Sequence, residues 1–226
     1  MKEIKRVPVT KEASKAWYDR ISRYYDLAGL FENGYKTLAL EMADFREGEK
    51  VLEVGCGTGW ALERIARRVG ERGKAYGLDL SPKMLRVARD RLQKAELMTR
   101  VELVEGDATK MPFPDDMFDV AFSTHTLELF DTPDIPVVLS EIKRVLKPGG
   151  KFVDLSISRE TVDTVTRFYE WIHERFAQYV DCRPIYVERS LREAGFKIAS
   201  TRRVKIFNLL WVEIVCGLKE GQVSNR

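Results

Sequence analysis

Residues 51–59, Val-Leu-Glu-Val-Gly-Cys-Gly-Thr-Gly, decide the fold of this chain. The first four residues are mostly apolar and precede a glycine, which predicts a short buried strand. Glycine at 55, 57 and 59 permits a turn that approaches a ligand closely. After the turn, apolar residues recur at helical spacing, at Ala61, Leu62, Ile65, Ala66 and Val69. We therefore predict a strand, a glycine turn and a helix whose first N–H groups are free to bind polar or anionic groups.

The glycine spacing G-x-G-x-G differs from the dinucleotide fingerprint G-x-G-x-x-G. Trp60 occupies the position that the fingerprint gives to its third glycine. A second apolar run, 75–78, ends at Asp79, and an acid at that strand end can accept hydrogen bonds from both hydroxyls of a ribose. A ribose site without the pyrophosphate glycine predicts a nucleoside ligand.

Four stretches resemble the class I methyltransferases that use S-adenosylmethionine (SAM). They are Leu-Glu-Val-Gly-Cys-Gly-Thr-Gly at 52–59, Gly-Leu-Asp-Leu-Ser at 77–81, Glu-Gly-Asp-Ala at 105–108 and Leu-Lys-Pro-Gly-Gly-Lys-Phe at 146–152. The alternating strands and helices predict an α/β fold with a doubly wound, mostly parallel sheet of about seven strands and helices on both faces. The resemblance adds a Rossmann-like order and an antiparallel terminal strand. It also implies SAM as cofactor and S-adenosylhomocysteine as product.

The resemblance places SAM at the carboxyl ends of strands 1 to 4. Asp79 would hold the ribose, Asp107 would accept from the adenine amino group, and Met84 would cover the adenine, unless Asp107 is a cap and Met84 ordinary core. The predicted cofactor-binding residues are Tyr25, Glu53, Gly55, Cys56, Gly57, Gly59, Asp79, Leu80, Met84, Gly106, Asp107, Ala108, Ser123 and Thr124.

Two aromatic segments are predicted to cover the acceptor. The stretch 18–26, Tyr-Asp-Arg-Ile-Ser-Arg-Tyr-Tyr-Asp, resembles the entry segment of quinone-biosynthesis C-methyltransferases and lipid-amine methyltransferases, which implies that Tyr25 reaches SAM. We predict one domain, 1–226, with an N-terminal helical lid at about 13–44 and a helical insertion after strand 5 at about 158–185. Tyr18, Tyr169 and Trp171 are candidate acceptor contacts, and core packing is the alternative for these aromatics.

His125 follows predicted strand 4 and is one of only two histidines in the chain. An imidazole there could orient an acceptor or take a proton, which makes His125 the candidate catalytic and acceptor-binding residue. A neutral histidine bonded to the backbone beside the cofactor is the alternative. Glu128 could contact an amine, or it could be a solvated helix start.

Composition sets further bounds. The chain has 226 residues, a net charge of +3 and three cysteines, so it suits one domain, does not demand a nucleic-acid partner and fits a reducing cytosol. No signal peptide, transmembrane run or metal constellation is visible in the sequence. We expect a cytoplasmic monomer or homodimer, for which peripheral membrane contact is allowed.

The predicted function is methyl transfer from SAM to a small acceptor such as a quinone, a lipid amine or another metabolite. An RNA or protein methyltransferase is one alternative, although the sequence 123–126 lacks the Asn-Pro-Pro-aromatic motif of many base methylases. The densest basic run, at Arg64, Arg67, Arg68 and Arg72, fits a solvated helix face. A SAM-binding sensor without catalysis is the third alternative. The acceptor atom stays open.

Overall fold

The computed structural model describes residues 10–22, 33–160, 171, 175, 182–206 and 210–221. The helices are α1 Lys11–Ile21, α2 Asn33–Ala43, α3 Trp60–Val69, α4 Pro82–Lys94, α5 Asp134–Val145 and α6 Val187–Glu193. The strands are β1 Lys50–Val54, β2 Lys74–Asp79, β3 Val101–Glu105, β4 Phe118–Thr124, β5 Leu146–Ile157, β6 Lys197–Ile206 and β7 Leu210–Leu218. Single 3₁₀ turns lie at Met98–Arg100 and Leu127–Leu129. The predicted helix over 161–179 lies outside the described residues, except for positions 171 and 175.

The seven strands form one sheet in the order β3-β2-β1-β4-β5-β7-β6. The pairs from β3 to β5 are parallel, whereas β7 runs antiparallel to both β5 and β6. This confirms the predicted fold class. The chain order reverses between β1 and β4, and the carboxyl ends of strands at such a switch point form the usual ligand crevice of open α/β sheets.

Helices cover both faces of the sheet. Successive side chains of β1 point to opposite faces, so this strand contributes to both cores. Val51 packs with α2, α3 and α4 in one core, while Leu52 and Val54 pack with α5 and α6 in the other. Leu62 and Ile65 of α3 are fully buried. Each such side chain stabilises the fold by about 1.5–3 kcal/mol relative to an exposed one. These two layers hold the strand ends in place.

The helix starts follow local sequence. The Ser81 hydroxyl accepts a hydrogen bond from Met84 N at 3.1 Å and Pro82 opens α4, as predicted. Helix α1 begins at Lys11, ahead of the predicted lid start, because the Thr10 hydroxyl caps it by accepting from Ala13 N at 3.3 Å. The N-terminal helix is therefore longer at its start than the aromatic pattern indicated.

The residues Pro-Gly-Gly at 148–150, which are typical of a turn, form a break in pairing within β5. Leu146 already pairs with Phe118, and the register then shifts before Lys151 pairs with Val120. The end of β7 occupies the gap, since Gly149 N donates to the Lys219 carbonyl at 2.9 Å. The strand therefore starts earlier than the turn residues indicated.

Candidate functional site

A cleft opens at the carboxyl ends of β1 to β4 and is covered on one side by α1. It contains about 1040 Å³ of empty space, counting its open mouth. The predicted site residues that line it are Tyr18, Gly55, Gly57, Asp79, Leu80, Met84, Gly106, Asp107, Ala108, Thr124 and His125.

The glycine turn presents backbone without side chains to the cleft. Gly55 has φ +68°, and a Cβ there would lie 2.4 Å from the Thr126 side chain. Gly57 has φ +51°, and a Cβ there would meet nothing within 4 Å. Gly55 is thus required by packing as well as by backbone conformation, whereas Gly57 leaves open space in which a ligand can approach the chain.

Asp79 is tied to the glycine turn. Its Oδ2 accepts from Gly57 N and its Oδ1 accepts from Ser81 N, each at 2.8 Å. Burial raises the pKa of Asp79, while the hydrogen bonds from backbone N–H groups act to lower it. A carboxylate has about four acceptor positions, so Asp79 keeps capacity for ligand hydroxyls.

Asp107 lies on the same rim in a different electrostatic setting. Its Oδ1 accepts from Thr109 N and its Oδ2 pairs with Lys11 Nζ, each at 2.8 Å. Burial acts to raise the pKa of Asp107, but the hydrogen bonds from Lys11 and Thr109 outweigh it and bring the pKa below its ordinary value. Asp107 is therefore a carboxylate and can accept from an amino group. We call Gly55, Gly57, Asp79 and Asp107 the glycine side of the cleft.

Helix α1 is seated on this rim by polar contacts that the sequence analysis missed. Lys11 reaches Asp107, and Lys15 Nζ lies 2.7 Å from Glu105 Oε1. Lys11 and Lys15 lie one turn apart with Tyr18 one turn further on, so the three share one helix face. The spacing of the two lysines and Tyr18 is a signal in the sequence that could have predicted this contact face. Asp19 adds a further tie, because its Oδ1 accepts from the Ser81 hydroxyl at 2.6 Å.

Several predicted cofactor residues lie behind the cleft wall, as the described residues define it. Glu53 is buried and shares the face of Val51, where the Leu62 N–H donates to it. Burial raises the pKa of Glu53 well above its ordinary value. Cys56 and Gly59 also lie behind the wall, with Gly59 opening α3 against Ala88. Their placement supports the turn and does not support direct ligand contact.

Ser123 and Glu128 are also placed away from the cleft wall in the described structure. The Ser123 hydroxyl donates to Asp154 Oδ1 at 2.5 Å. Glu128 is fully buried, with Oε1 3.0 Å from His125 Nδ1 and Oε2 accepting from Ile157 N. Glu128 is fully buried and lies behind the cleft wall, so the expected contact between Glu128 and an amine is not supported. The alternative of a solvated helix start is wrong, because the side chain has no exposure.

His125 lies at the end of β4 and lines the cleft. Its backbone takes φ +52°, and its N–H donates to the Leu155 carbonyl at 2.8 Å. Beneath it, Asp154 of β5 is fully buried and accepts from Ser123 and Ser156. Burial raises the pKa of Asp154 to about 7, against the effect of the two serine hydroxyls. We call His125, Glu128 and Asp154 the histidine side of the cleft.

The predicted aromatic contacts have mixed outcomes. Tyr18 lines the cleft from α1. Tyr25 and Tyr169 lie outside the described residues. Trp171 is 54% exposed and is not part of the cleft wall formed by the described residues. The cleft wall also contains Leu129, Phe130, Asp131 and Asp134, which follow His125 in sequence and which the motif search passed over.

The described residues were also considered for membrane-spanning helices and for metal-binding clusters. None of the helices described combines the length and apolar character needed to cross a bilayer. Among the same residues, no group of three or more His, Cys, Asp or Glu side chains is placed to hold a metal ion.

Comparison with known proteins identifies the family. The model of a methyltransferase domain matches residues 51–150. A demethylmenaquinone methyltransferase of Bacillus mycoides is 36% identical over 151 residues, which are 64% of this chain and 62% of the relative. A ubiquinone/menaquinone biosynthesis C-methyltransferase of Paraburkholderia phymatum is 33% identical over 188 residues, 77% of this chain and 75% of the relative. The chain belongs to the class I SAM-dependent methyltransferases, in the quinone-biosynthesis branch.

A solved structure agrees with this methyltransferase assignment. A SAM-dependent methyltransferase from Aquifex aeolicus has a TM-score of 0.66 and 25% identity to this chain, and the alignment covers 89% of this chain and 97% of that one. The enzyme class predicted from the motifs is therefore confirmed.

The cleft of this methyltransferase fits the family's cofactor by its own geometry. Gly57 offers backbone beside open space, where the absence of a Cβ admits a ligand. Asp79 and Asp107 retain acceptor positions for ribose hydroxyls and an amino group. Met84 and Leu80 supply apolar wall between them. These features lie at the glycine side of the cleft or next to it.

Proposed function

We propose that the protein binds SAM on the glycine side of the cleft and methylates a quinone-like ring held against the histidine side. The observation that carries the proposal is the division of one cleft into two unlike walls. One wall is bare backbone with the carboxylates of Asp79 and Asp107, and the other presents His125, behind which the acids Glu128 and Asp154 are buried. The two relatives are quinone-biosynthesis methyltransferases, which supports a quinone-like acceptor.

The residues of the glycine side would divide the cofactor among them. Asp79 would accept from the ribose hydroxyls, and Asp107 with Ala108 N would meet the adenine edge. Met84 would cover one adenine face with its polarisable side chain. When bound, SAM supplies a methyl group that its sulfonium already makes electrophilic.

The protein then has to orient the acceptor and exclude water. Tyr18 of α1, together with Leu129 and Phe130 after β4, gives the cleft an apolar and aromatic wall. Such a wall suits a flat aromatic ring better than a small hydrophilic amine, because ring faces stack on aromatic side chains. This supports a quinone-like acceptor among the candidates that the sequence left open.

We further propose that α1 is part of the predicted lid. It lies over the rim through Lys11, Lys15 and Asp19 and lines the cleft through Tyr18. Deleting residues 1–30 should abolish methyl transfer, while circular dichroism and a cooperative thermal transition show that the sheet still folds. Deleting only residues 1–9 keeps Thr10 and α1 and serves as the control. Full turnover by the longer deletion would rule the lid out.

The proposed function is tested by binding and by turnover. Isothermal calorimetry should show binding of SAM and S-adenosylhomocysteine and none of NAD. Methyl-labelled SAM should transfer label to a reduced 2-demethyl-naphthoquinone, and not to phosphoethanolamine or bulk RNA. Label that appears only in the amine or in RNA would overturn the acceptor class, and NAD binding without SAM binding would overturn the cofactor.

A further inference from the structure

The imidazole of His125 is held in one orientation by three contacts. Its backbone N–H donates to the Leu155 carbonyl at 2.8 Å, and Nδ1 lies 3.0 Å from Glu128 Oε1. The edge of the ring meets Tyr35, with centroids 5.7 Å apart and planes at 84°. The backbone at His125 has φ +52°, which is an uncommon conformation for a residue with a side chain. Strained residues held this firmly concentrate at functional sites.

Glu128 is the group that sets the state of this ring. It is fully buried, and its second oxygen accepts from Ile157 N. Burying a carboxylate lowers the stability of the fold unless the carboxylate is paired. A neutral amide side chain could fill the same space without that cost. An ionised carboxylate at Glu128 would accept the Nδ1–H of His125, and Nε2 would then be the nitrogen with a lone pair.

The second ring nitrogen, His125 Nε2, is buried and has no hydrogen-bond partner among the described residues. It lies at the ring edge opposite Nδ1, on a side chain that lines the cleft. Buried polar atoms are nearly always hydrogen-bonded, so an acceptor nitrogen in this position points to a ligand that donates a proton or a hydrogen bond.

We propose that His125 Nε2 is the general base of the methyl transfer, that Glu128 is its positioning residue, and that the acceptor is an aromatic alcohol, such as the reduced form of a quinone. The inference rests on the proposed function and specifies its acceptor. An amine attacks with its own lone pair and needs no such base, whereas a phenol becomes a strong nucleophile only after it loses its hydroxyl proton.

The proton and electron changes balance within the named groups. The hydroxyl proton moves to Nε2, and the electron pair of the O–H bond stays on the acceptor oxygen and is shared with the ring carbon. That carbon forms the new C–C bond as the methyl–sulfur bond breaks with its electrons left on sulfur. The ring carbon then loses its own proton to restore aromaticity, and the imidazolium returns its proton to the oxygen. One proton is released to solvent overall.

Glu128 stabilises the imidazolium that forms when Nε2 takes the proton, by the same logic as the acid of a catalytic triad. The other groups facing this pair are Asp154 from β5 and Tyr35 from α2. The charge of Glu128 contributes to the raised pKa of Asp154, after the larger effect of burial.

The first test needs no turnover. Nitrogen-15 NMR of the imidazoles should show the Nδ1–H tautomer for His125, and the only other histidine, His173, can be replaced by His173→Gln for assignment. Glu128→Ala should convert the signal to a mixture of tautomers. Glu141→Gln is the matched control, because Glu141 also accepts from a backbone N–H, that of Met111 at 2.8 Å, and lies on α5. An Nε2–H tautomer in the wild-type protein would overturn the proposal.

The second test is kinetic, with a reduced 2-demethyl-naphthoquinone as acceptor. His125→Gln should lower kcat by about 10²–10⁴-fold with KM changed less than about threefold. Glu128→Gln should lower kcat about 10–100-fold and shift the acid limb of the pH–rate profile to lower pH, and Glu128→Asp should recover part of the rate. An acceptor made more acidic by a chlorine substituent should lose less rate in His125→Gln, since it depends less on the base.

Two outcomes separate this inference from the proposed function. If the wild-type protein methylates the naphthoquinol and His125→Gln keeps its kcat while folded, the base assignment is wrong and the function stands. If no acceptor is methylated but SAM binds, the acceptor class is wrong. The NMR tautomer in wild type and Glu128→Ala then decides for or against the pair by itself. Calorimetry with SAM should give the same affinity for Glu128→Gln as for wild type, which checks folding.

Discussion

Asp107 on the glycine side of the cleft and Asp154 on the histidine side are held in opposite ways. On the glycine side, Asp107 is partly exposed and paired with Lys11, and its pKa lies below the ordinary value. On the histidine side, Asp154 is fully buried between two serines, and burial raises its pKa to about 7. One side keeps a permanent acceptor for ligand hydroxyl and amino groups. The other holds an acid, Asp154, that exchanges a proton near neutral pH, a property that is common at sites of chemistry.

The largest effect is expected where the two sides meet. Gly55→Ala introduces a Cβ 2.4 Å from the Thr126 side chain at φ +68°, so it should lower the free energy of unfolding by about 2–5 kcal/mol and abolish SAM binding. Gly57→Ala is the control for backbone strain, because its Cβ meets nothing within 4 Å. It should cost only about 1–2 kcal/mol of stability. Equal losses in urea unfolding would show that the contact with Thr126 is unimportant.

A smaller effect should separate the two sides by pH. Asp154 has a folded pKa of about 7, above the unfolded value near 3.9, so the native state binds more protons between these values. Its contribution therefore lowers the free energy of unfolding as pH rises from about 4 to 7, by roughly 2–4 kcal/mol. Asp154→Asn should remove this slope in urea unfolding measured at pH 4.5, 6 and 7.5. If the stability of Asp154→Asn changes with pH as that of the wild-type protein does, the raised pKa of Asp154 is contradicted.

On the glycine side, Asp79 should affect ligand affinity. Asp79→Ala should weaken SAM binding by about 1–3 kcal/mol, the range for hydrogen bonds to a charged group. Its bonds to Gly57 N and Ser81 N mean that some stability is lost as well, so binding is measured by calorimetry well below the melting temperature. Glu102→Ala, on the far end of β3 and paired with Lys74, is the control that should bind normally. An affinity equal to wild type would remove Asp79 from the ribose site.

The smallest effect is expected for the ion pairs that seat α1. The pairs of Lys11 with Asp107 and Lys15 with Glu105 are largely exposed, and such pairs are weak and screened by salt. Lys11→Gln with Lys15→Gln should speed hydrogen exchange of α1 a few-fold and leave the melting temperature of the sheet unchanged. Added salt should have the same effect on wild type. Exchange that is insensitive to both changes would indicate that Tyr18 and Asp19 seat the helix without the lysines.

More of the glycine side than of the histidine side could be predicted from the sequence. The glycine side lies in short motifs, so Gly55, Gly57, Asp79 and Asp107 were all named and all line the cleft. Side chains alternate along a strand, so Glu53 lies on the same face of β1 as the buried Val51. A tighter use of that alternation would have placed Glu53 behind the turn.

On the histidine side the sequence identified His125 but misassigned Glu128. The two residues are three apart, and the 3₁₀ turn Leu127–Leu129 brings their side chains together. Nothing local distinguishes that pairing from a solvated helix start. The sequence did not indicate Asp154 as a site residue, because it is a single polar residue within the apolar strand 5.

The sequence by itself determined the order of strands and helices, the glycine turn and the acids that end β2 and β3, because hydrophobic period and turn chemistry are local properties. Only the tertiary structure decided that Lys11 meets Asp107, 96 residues away, and that Ser123 meets Asp154, 31 residues away. It also decided that Glu128 is buried behind His125. Such contacts depend on how whole elements pack, and packing sets the dielectric surroundings that fix which acids are charged and which hold a proton.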